Sequence, residues 1–166
     1  MIVALALVLA LATSCTAGGS TEERNAAVYA SVIRHMTAER GQPSGFPVIY
    51  VADRIDPGAA DPQAGEAGTP FPQGLKEDIL ELLEGLGRVE FVAESDSVIG
   101  PQEDGGRIEG GGILLTLGPI EGTGDRVEVP ASSYLANLAG SWQTWVVALQ
   151  GDVWRVSGTA GPVATA

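Results

Sequence analysis

The stretch from Asp53 to Phe71, DRIDPGAADPQAGEAGTPF, places Asp53, Asp56, Asp61 and Glu66 in one loop, where carboxylates offer the hard oxygen ligands that calcium takes. Their spacing does not follow the D-x-[DN]-x-[DN]-G pattern, and Asp56-Pro57 and Asp61-Pro62 are ordinary turn dipeptides, so no metal is assigned. Loops of this length inside a compact domain are usually functional or disordered, which makes Asp53, Asp56 and Asp61 candidate ligand-binding residues. The aromatic counterpart is Tyr134, Trp142, Trp145 and Trp154. Trp142 and Trp145 differ by an odd number of positions, so on a regular strand they face opposite sides of the sheet. One should pack under helices and the other should face solvent or a groove, and both join the candidate binding set.

The residues for covalent or metal chemistry are scarce. His35 is the sole histidine and Cys15 the sole cysteine, which nearly excludes the common nucleophile dyads and zinc sites. His35 falls one position off the apolar face of its helix and reads as a half-buried or exposed surface residue. Glu94 with Asp96, and Glu121 with Asp125, are carboxylate pairs, but acid/base work requires a pocket that drives their pKa values apart. Gly105-Gly106 and Gly110-Gly111-Gly112 lack the lysine of a phosphate-binding loop. No catalytic residue and no cofactor are assigned. The enzymatic alternative is a carboxylate enzyme with Asp53 or Glu94 as base.

Periodicity supplies the elements that must hold these residues. Val28, Tyr29, Val32, Ile33 and Met36 recur at helical spacing over Glu22 to Glu39, with Ser20 or Thr21 as cap and Gly41 and Pro43 as stop. Pro47 to Ala52 (PVIYVA) reads as a buried strand. A second helix runs from Pro72 to about Leu86, with Leu75, Ile79, Leu82, Leu83 and Leu86 as its stripe. Val89 to Ala93, Ile113 to Leu117 and Val127 to Leu135 are strands, and Gly100 to Gly112 between them is a Gly-rich loop expected to be mobile. Trp142 to Leu149 and Val153 to Thr159 form a hairpin turning at Gln150-Gly151-Asp152. Pro130 cannot donate to a ladder, which predicts an edge position or a bulge. The order predicts an α+β fold, with two helices packed on one face of a curved, mainly antiparallel sheet of five to six strands, the first two strands being parallel neighbours across the second helix.

Ile2 to Ala12 is an uninterrupted apolar run, too short to span a bilayer as a helix, which needs about 20 residues, but suited to the core of an export signal. It ends in Ala12-Thr13-Ser14-Cys15, which resembles the lipobox of bacterial lipoproteins. That resemblance implies cleavage after residue 14 and a diacylglyceryl group on the Cys15 thiol, two chains being enough for stable attachment. The expected organisation is a signal peptide over residues 1–14, a lipidated cysteine and flexible tether over 15–21, and one domain over 22–166. With no cysteine after residue 15, the domain holds no disulfide. A formal net charge of −12 argues against nucleic acid and against an anionic lipid surface as partners.

Across Val28 to Val163, VYASVIRH, FPVIYVADRIDPGA, VEFVAESDSV, LLTLGPIEG, VEVPASSYLANLAGSW and WRVSGTAGPVA occur in that order. As a set they resemble a family of exported actinobacterial proteins with no assigned activity, so no catalytic residue is carried over. The layout is also similar to cystatin-like and NTF2-like folds, in which a pocket opens between helices and a curved sheet; that is architectural analogy and implies no function. The expectation is a cell-envelope lipoprotein on the outer face of the membrane, whose domain binds a small molecule or another envelope protein. The alternatives are the carboxylate enzyme, with its site in the cone between helices and sheet, and a purely structural surface protein.

Overall fold

The computed structural model describes residues 20–39, 45–65 and 67–166. Helix α1 (Thr21–Glu39) begins in a capping box: the Glu23 N–H donates to Ser20 Oγ at 3.1 Å and the Ser20 N–H donates to Glu23 Oε2 at 2.6 Å. Two backbone amides that a helix start leaves without partners are satisfied in this way. Val28, Tyr29, Val32, Ile33 and Met36 are all buried, as their spacing predicts. The expected stop at Gly41 and Pro43 lies outside the described residues, as do Cys15 and the apolar run before it.

Strand β1 (Val48–Ile55) runs past Ala52, because Ile55 is held by an antiparallel bridge to Thr69 and donates to its carbonyl at 2.8 Å. Helix α2 (Gln73–Leu82) follows, shorter than its apolar stripe suggests. Leu75, Ile79 and Leu83, four positions apart, are buried, whereas Leu82 is 44% exposed. One residue turns about 100° around a helix, which carries Leu82 off that line.

The remaining strands are β2 (Arg88–Val92), β3 (Ile113–Leu117), β4 (Arg126–Ala136), β5 (Ala139–Gln150) and β6 (Val153–Thr165). All six form one sheet in the order β2-β1-β3-β4-β5-β6. β1 pairs in parallel with β2 and with β3, and the pairs from β3 to β6 are antiparallel. The sheet is open, with β2 and β6 at its edges, and the molecule has the expected α+β layout with both helices on one face.

The other face is covered as well. A right-handed crossover from β1 through α2 to β2 uses the helix face; the return from β2 past β1 to β3 runs the opposite way across the sheet and must use the opposite face. Residues 93–112 do so. Their Val98 and Ile108 pack on Val48, Tyr50 and Leu114, while the intervening Ile49, Val51, Ile113 and Leu115 enter the main core under the helices. This segment, its Gly100 to Gly112 part expected to be a mobile loop, is a chain of short 3-10 turns laid on the sheet, with the Ile108 N–H donating to Leu135 O at 3.0 Å.

Pro130 is neither at an edge nor at a bulge. It sits in β4 between β3 and β5, in register with Thr144. β3 leaves the sheet just there: Gly118 N–H donates to Pro130 O at 2.7 Å, and the bond that residue 130 would return to Gly118 O is missing. Tyr29 of α1 replaces it, its hydroxyl donating to Gly118 O at 3.1 Å. A Cβ on residue 118 would stand 2.9 Å from Pro130 Cβ, so glycine is needed for β3 to pass the proline.

Candidate functional site

The strand register sorts the two tryptophans as the alternation predicts. Trp145 faces the helices and is 3% exposed, its ring centroid 4.7 Å from that of His35 in an edge-on contact. Its indole N–H is buried without an acceptor among the described residues. His35 is half-buried, with Nε2 3.2 Å from Glu39 Oε1. Trp142 lies on the outer face, in register with Ser132 of β4, which is in turn in register with Thr116 of β3. The next row on the same face is Leu114, Tyr134 and Gly140. A Cβ on Gly140 would meet Trp142 Cη2 at 2.6 Å and Cζ3 at 2.9 Å, so the indole lies down over Gly140 toward Tyr134.

These two rows floor a cradle of about 260 Å³. One wall is the loop after β1, through Asp56, Gly58, Ala59, Asp61 and Ala64; the other is Ser95 and Ile99 of the covering segment, with Arg54 also at the lining. The loop is a folded wall. Asp56, 4% exposed, accepts from Gly58 N–H at 2.8 Å through Oδ1 and from Ala67 N–H at 3.2 Å through Oδ2. Its own N–H donates to Leu117 O at 2.9 Å, and the carbonyls of Gly58 and Asp61 close two further turns. Asp56 therefore staples the loop to itself and to the end of β3, which uses up the carboxylate expected to reach a ligand. Asp61 is exposed, with Oδ1 taking the Gln63 N–H at 2.9 Å.

Asp53 is on the helix face. Its Oδ2 receives Lys76 Nζ at 2.7 Å, a link between β1 and α2, and its Oδ1 is buried without a partner among the described residues. Of the five candidate binding residues, Asp56, Asp61 and Trp142 come together, whereas Asp53 and Trp145 lie across the sheet. Glu94, the other candidate base, is exposed and its carbonyl accepts from Ser97 Oγ at 2.6 Å. Among the described residues no three His, Cys, Asp or Glu side chains gather to hold a metal ion. The space between helices and sheet is filled by side chains such as Ile33, Ile79, Leu115, Val129 and Trp145.

The cradle contains residues that sequence reasoning did not single out as ligands: Arg54, Thr116 and Ser132. Parity was the available signal, because Thr116 is the one polar residue in ILLTL and sits on the opposite side from Leu115 and Leu117. Its neighbours could not be known without the pairing. Arg54 donates to Ala93 O at 3.3 Å, which ties β1 to the covering segment. Tyr134 donates its hydroxyl to Asn137 Oδ1 at 2.9 Å, and Gly106 packs so closely there that a Cβ would stand 2.9 Å from the Tyr134 hydroxyl oxygen. A second concavity, about 330 Å³, lies between α1 and β6 and is lined by Ser31, Arg34, His35, Trp154 and Arg155. Arg34 there donates to Leu82 O at the end of α2, and Arg24 lies over the Trp154 ring at 5.3 Å.

No protein-family model, curated protein or solved structure matches this chain.

Proposed function

We propose that this is an exported protein, held on the outer face of the cell membrane by a lipid on Cys15, whose domain captures a small ligand in the outer-face cradle without catalysis. The observation that carries the binding reading is the cradle itself. Asp61 and Trp142, distant in sequence, reach one concavity, and the register adds the Thr116 and Ser132 hydroxyls between them. A concavity with an aromatic side chain in its lining and a few convergent polar groups is the usual form of a small-molecule site.

The non-catalytic part rests on how the ionisable groups are used. The buried carboxylate, Asp56, has each oxygen on a backbone amide, and the Tyr134 phenol is bound to Asn137. Neither is placed to move a proton to or from a ligand. The envelope location is supported by the Ile2 to Cys15 sequence; no helix among the described residues is long and apolar enough to cross a membrane.

A thermal-shift screen of the full chain in detergent, against metabolites, peptides and lipids, tests the binding reading. A ligand at a hundred times its dissociation constant adds about 2.7 kcal/mol and should move the midpoint by roughly 5 to 10 °C for a domain of this size. The reading expects such a shift in the wild type and its loss in Trp142→Ala. A shift of equal size in both would move the site elsewhere.

A further inference from the structure

We propose that the cradle binds a neutral saccharide, with one sugar ring laid against Trp142 and its hydroxyls on Thr116, Ser132 and the rim. The proposal rests on the binding reading above and names the ligand class. The fixed charges nearest the floor are already engaged by the protein: Asp56 holds two backbone amides, and Arg54 bridges to Ala93 O. An anionic ligand group would meet only Arg54, already held by the protein, and a cationic one only Asp61 on the exposed rim, so neither regains at the floor what it loses in giving up water. What faces an incoming molecule is an indole and several hydroxyls. Among the described residues the Thr116, Ser132 and Ser95 side chains make no hydrogen bond to protein.

A hydroxyl is both donor and acceptor, so a row of them suits a partner that is also both. A sugar ring carries hydroxyls around its rim and C–H groups on its faces. The rim matches Thr116 and Ser132; a C–H face matches the apolar, electron-rich face of an indole. Register sets the spacing. Thr116, Ser132 and Trp142 stand on three adjacent strands, a row about 10 Å long at the usual strand separation, enough for one ring and its substituents. The indole cannot stand upright and block the row, because it rests on Gly140. On the far rim, Asp61 keeps one carboxylate oxygen beyond its bond to Gln63, available to accept from a sugar hydroxyl. The volume of about 260 Å³ is just under the roughly 300 Å³ at which sites for drug-sized molecules begin, and it fits a single ring or a ring with part of a second.

Isothermal titration calorimetry of the full chain in detergent, with neutral methyl glycosides of hexoses, pentoses and N-acetylhexosamines and the matching disaccharides, tests this; amino acids and dicarboxylates serve as comparison ligands. At least one neutral glycoside should bind with a dissociation constant in the millimolar range or below. Trp142→Phe should keep that affinity within about threefold, Trp142→Ala should lower it at least roughly tenfold, and the near-isosteric Thr116→Val with Ser132→Ala should lower it several-fold. The last variant carries the test if Trp142→Ala fails to fold. Binding of amino acids or dicarboxylates through Trp142, with no glycoside bound at tens of millimolar, overturns the saccharide class and leaves the cradle as a site. No binding of any compound, or glycoside binding that survives every one of these variants, overturns both.

Discussion

Asp56 does its work for the fold. Its two oxygens hold Gly58 and Ala67 amides, so the loop that walls the cradle depends on one buried carboxylate. Hydrogen bonds to a charged acceptor contribute about 1.5–3 kcal/mol, and removing the acceptor takes it from two part-buried amides. Asp56→Ala should lower the unfolding free energy by about 2–4 kcal/mol in urea denaturation, whereas Asp61→Ala, at an exposed turn, should change it by less than about 1 kcal/mol. Gly140 acts through its lack of a side chain. Gly140→Ala must displace the Trp142 ring, at a cost of about 1–3 kcal/mol for overpacking, and should alter the near-UV circular dichroism of the indole. The sequence marks Asp56 as a candidate ligand because an acidic residue before proline looks the same whether it faces a cation or its own loop; only the amides around it distinguish the two.

At the scale of elements, the joint between α1 and the end of β3 explains how a proline is tolerated inside a sheet. Tyr29 gives Gly118 O the bond that Pro130 cannot give, and burial pushes its phenol up from 10.0 to about 12, against a smaller lowering by a backbone hydrogen bond from Ile120. Burial favours the neutral phenol in the folded state, so the unfolded chain loses this proton first. The stabilisation is complete below pH 10 and declines as pH rises from 10 to 12, by roughly 3 kcal/mol at most. Tyr29→Phe should flatten that alkaline loss of stability, followed by urea melts across the range, and should cost about 1–3 kcal/mol at pH 7 by leaving Gly118 O without its donor. Helix α1, the buried strand at Val48 and the final hairpin were legible because periodicity and capping residues act locally. The role of residues 93–112 was not: Val98-Ile99 and Ile108 are short apolar islands among turn formers, and the burial of Val98 and Ile108 follows from a crossover direction that only strand order reveals.

The whole molecule is a sheet covered on both faces but unevenly, by two helices on one side and by turns on the other, and the uneven cover leaves the cradle. Parity placed Trp142 and Trp145 on opposite sides from sequence alone. It could not say which was outside, since that depends on where the helices pack. Nor could the acidic loop announce that it wraps to the outer face, away from Asp53 at its own start. With a lipid on Cys15 as the tether, Cys15→Ser should move the protein from the membrane fraction to the soluble or secreted fraction with its domain still folded, by fractionation and circular dichroism, because the lipidated thiol would hold it there. Ligand capture in the outer-face cradle is best tested by ¹H–¹⁵N chemical-shift mapping of the detergent-solubilised full chain with a metabolite and glycoside mixture. The Trp142 indole signal and the Thr116 and Ser132 amides should move together while the Trp145 indole stays. Perturbation confined to the groove around Ser31, His35 and Arg155, or none anywhere, would contradict capture in the cradle.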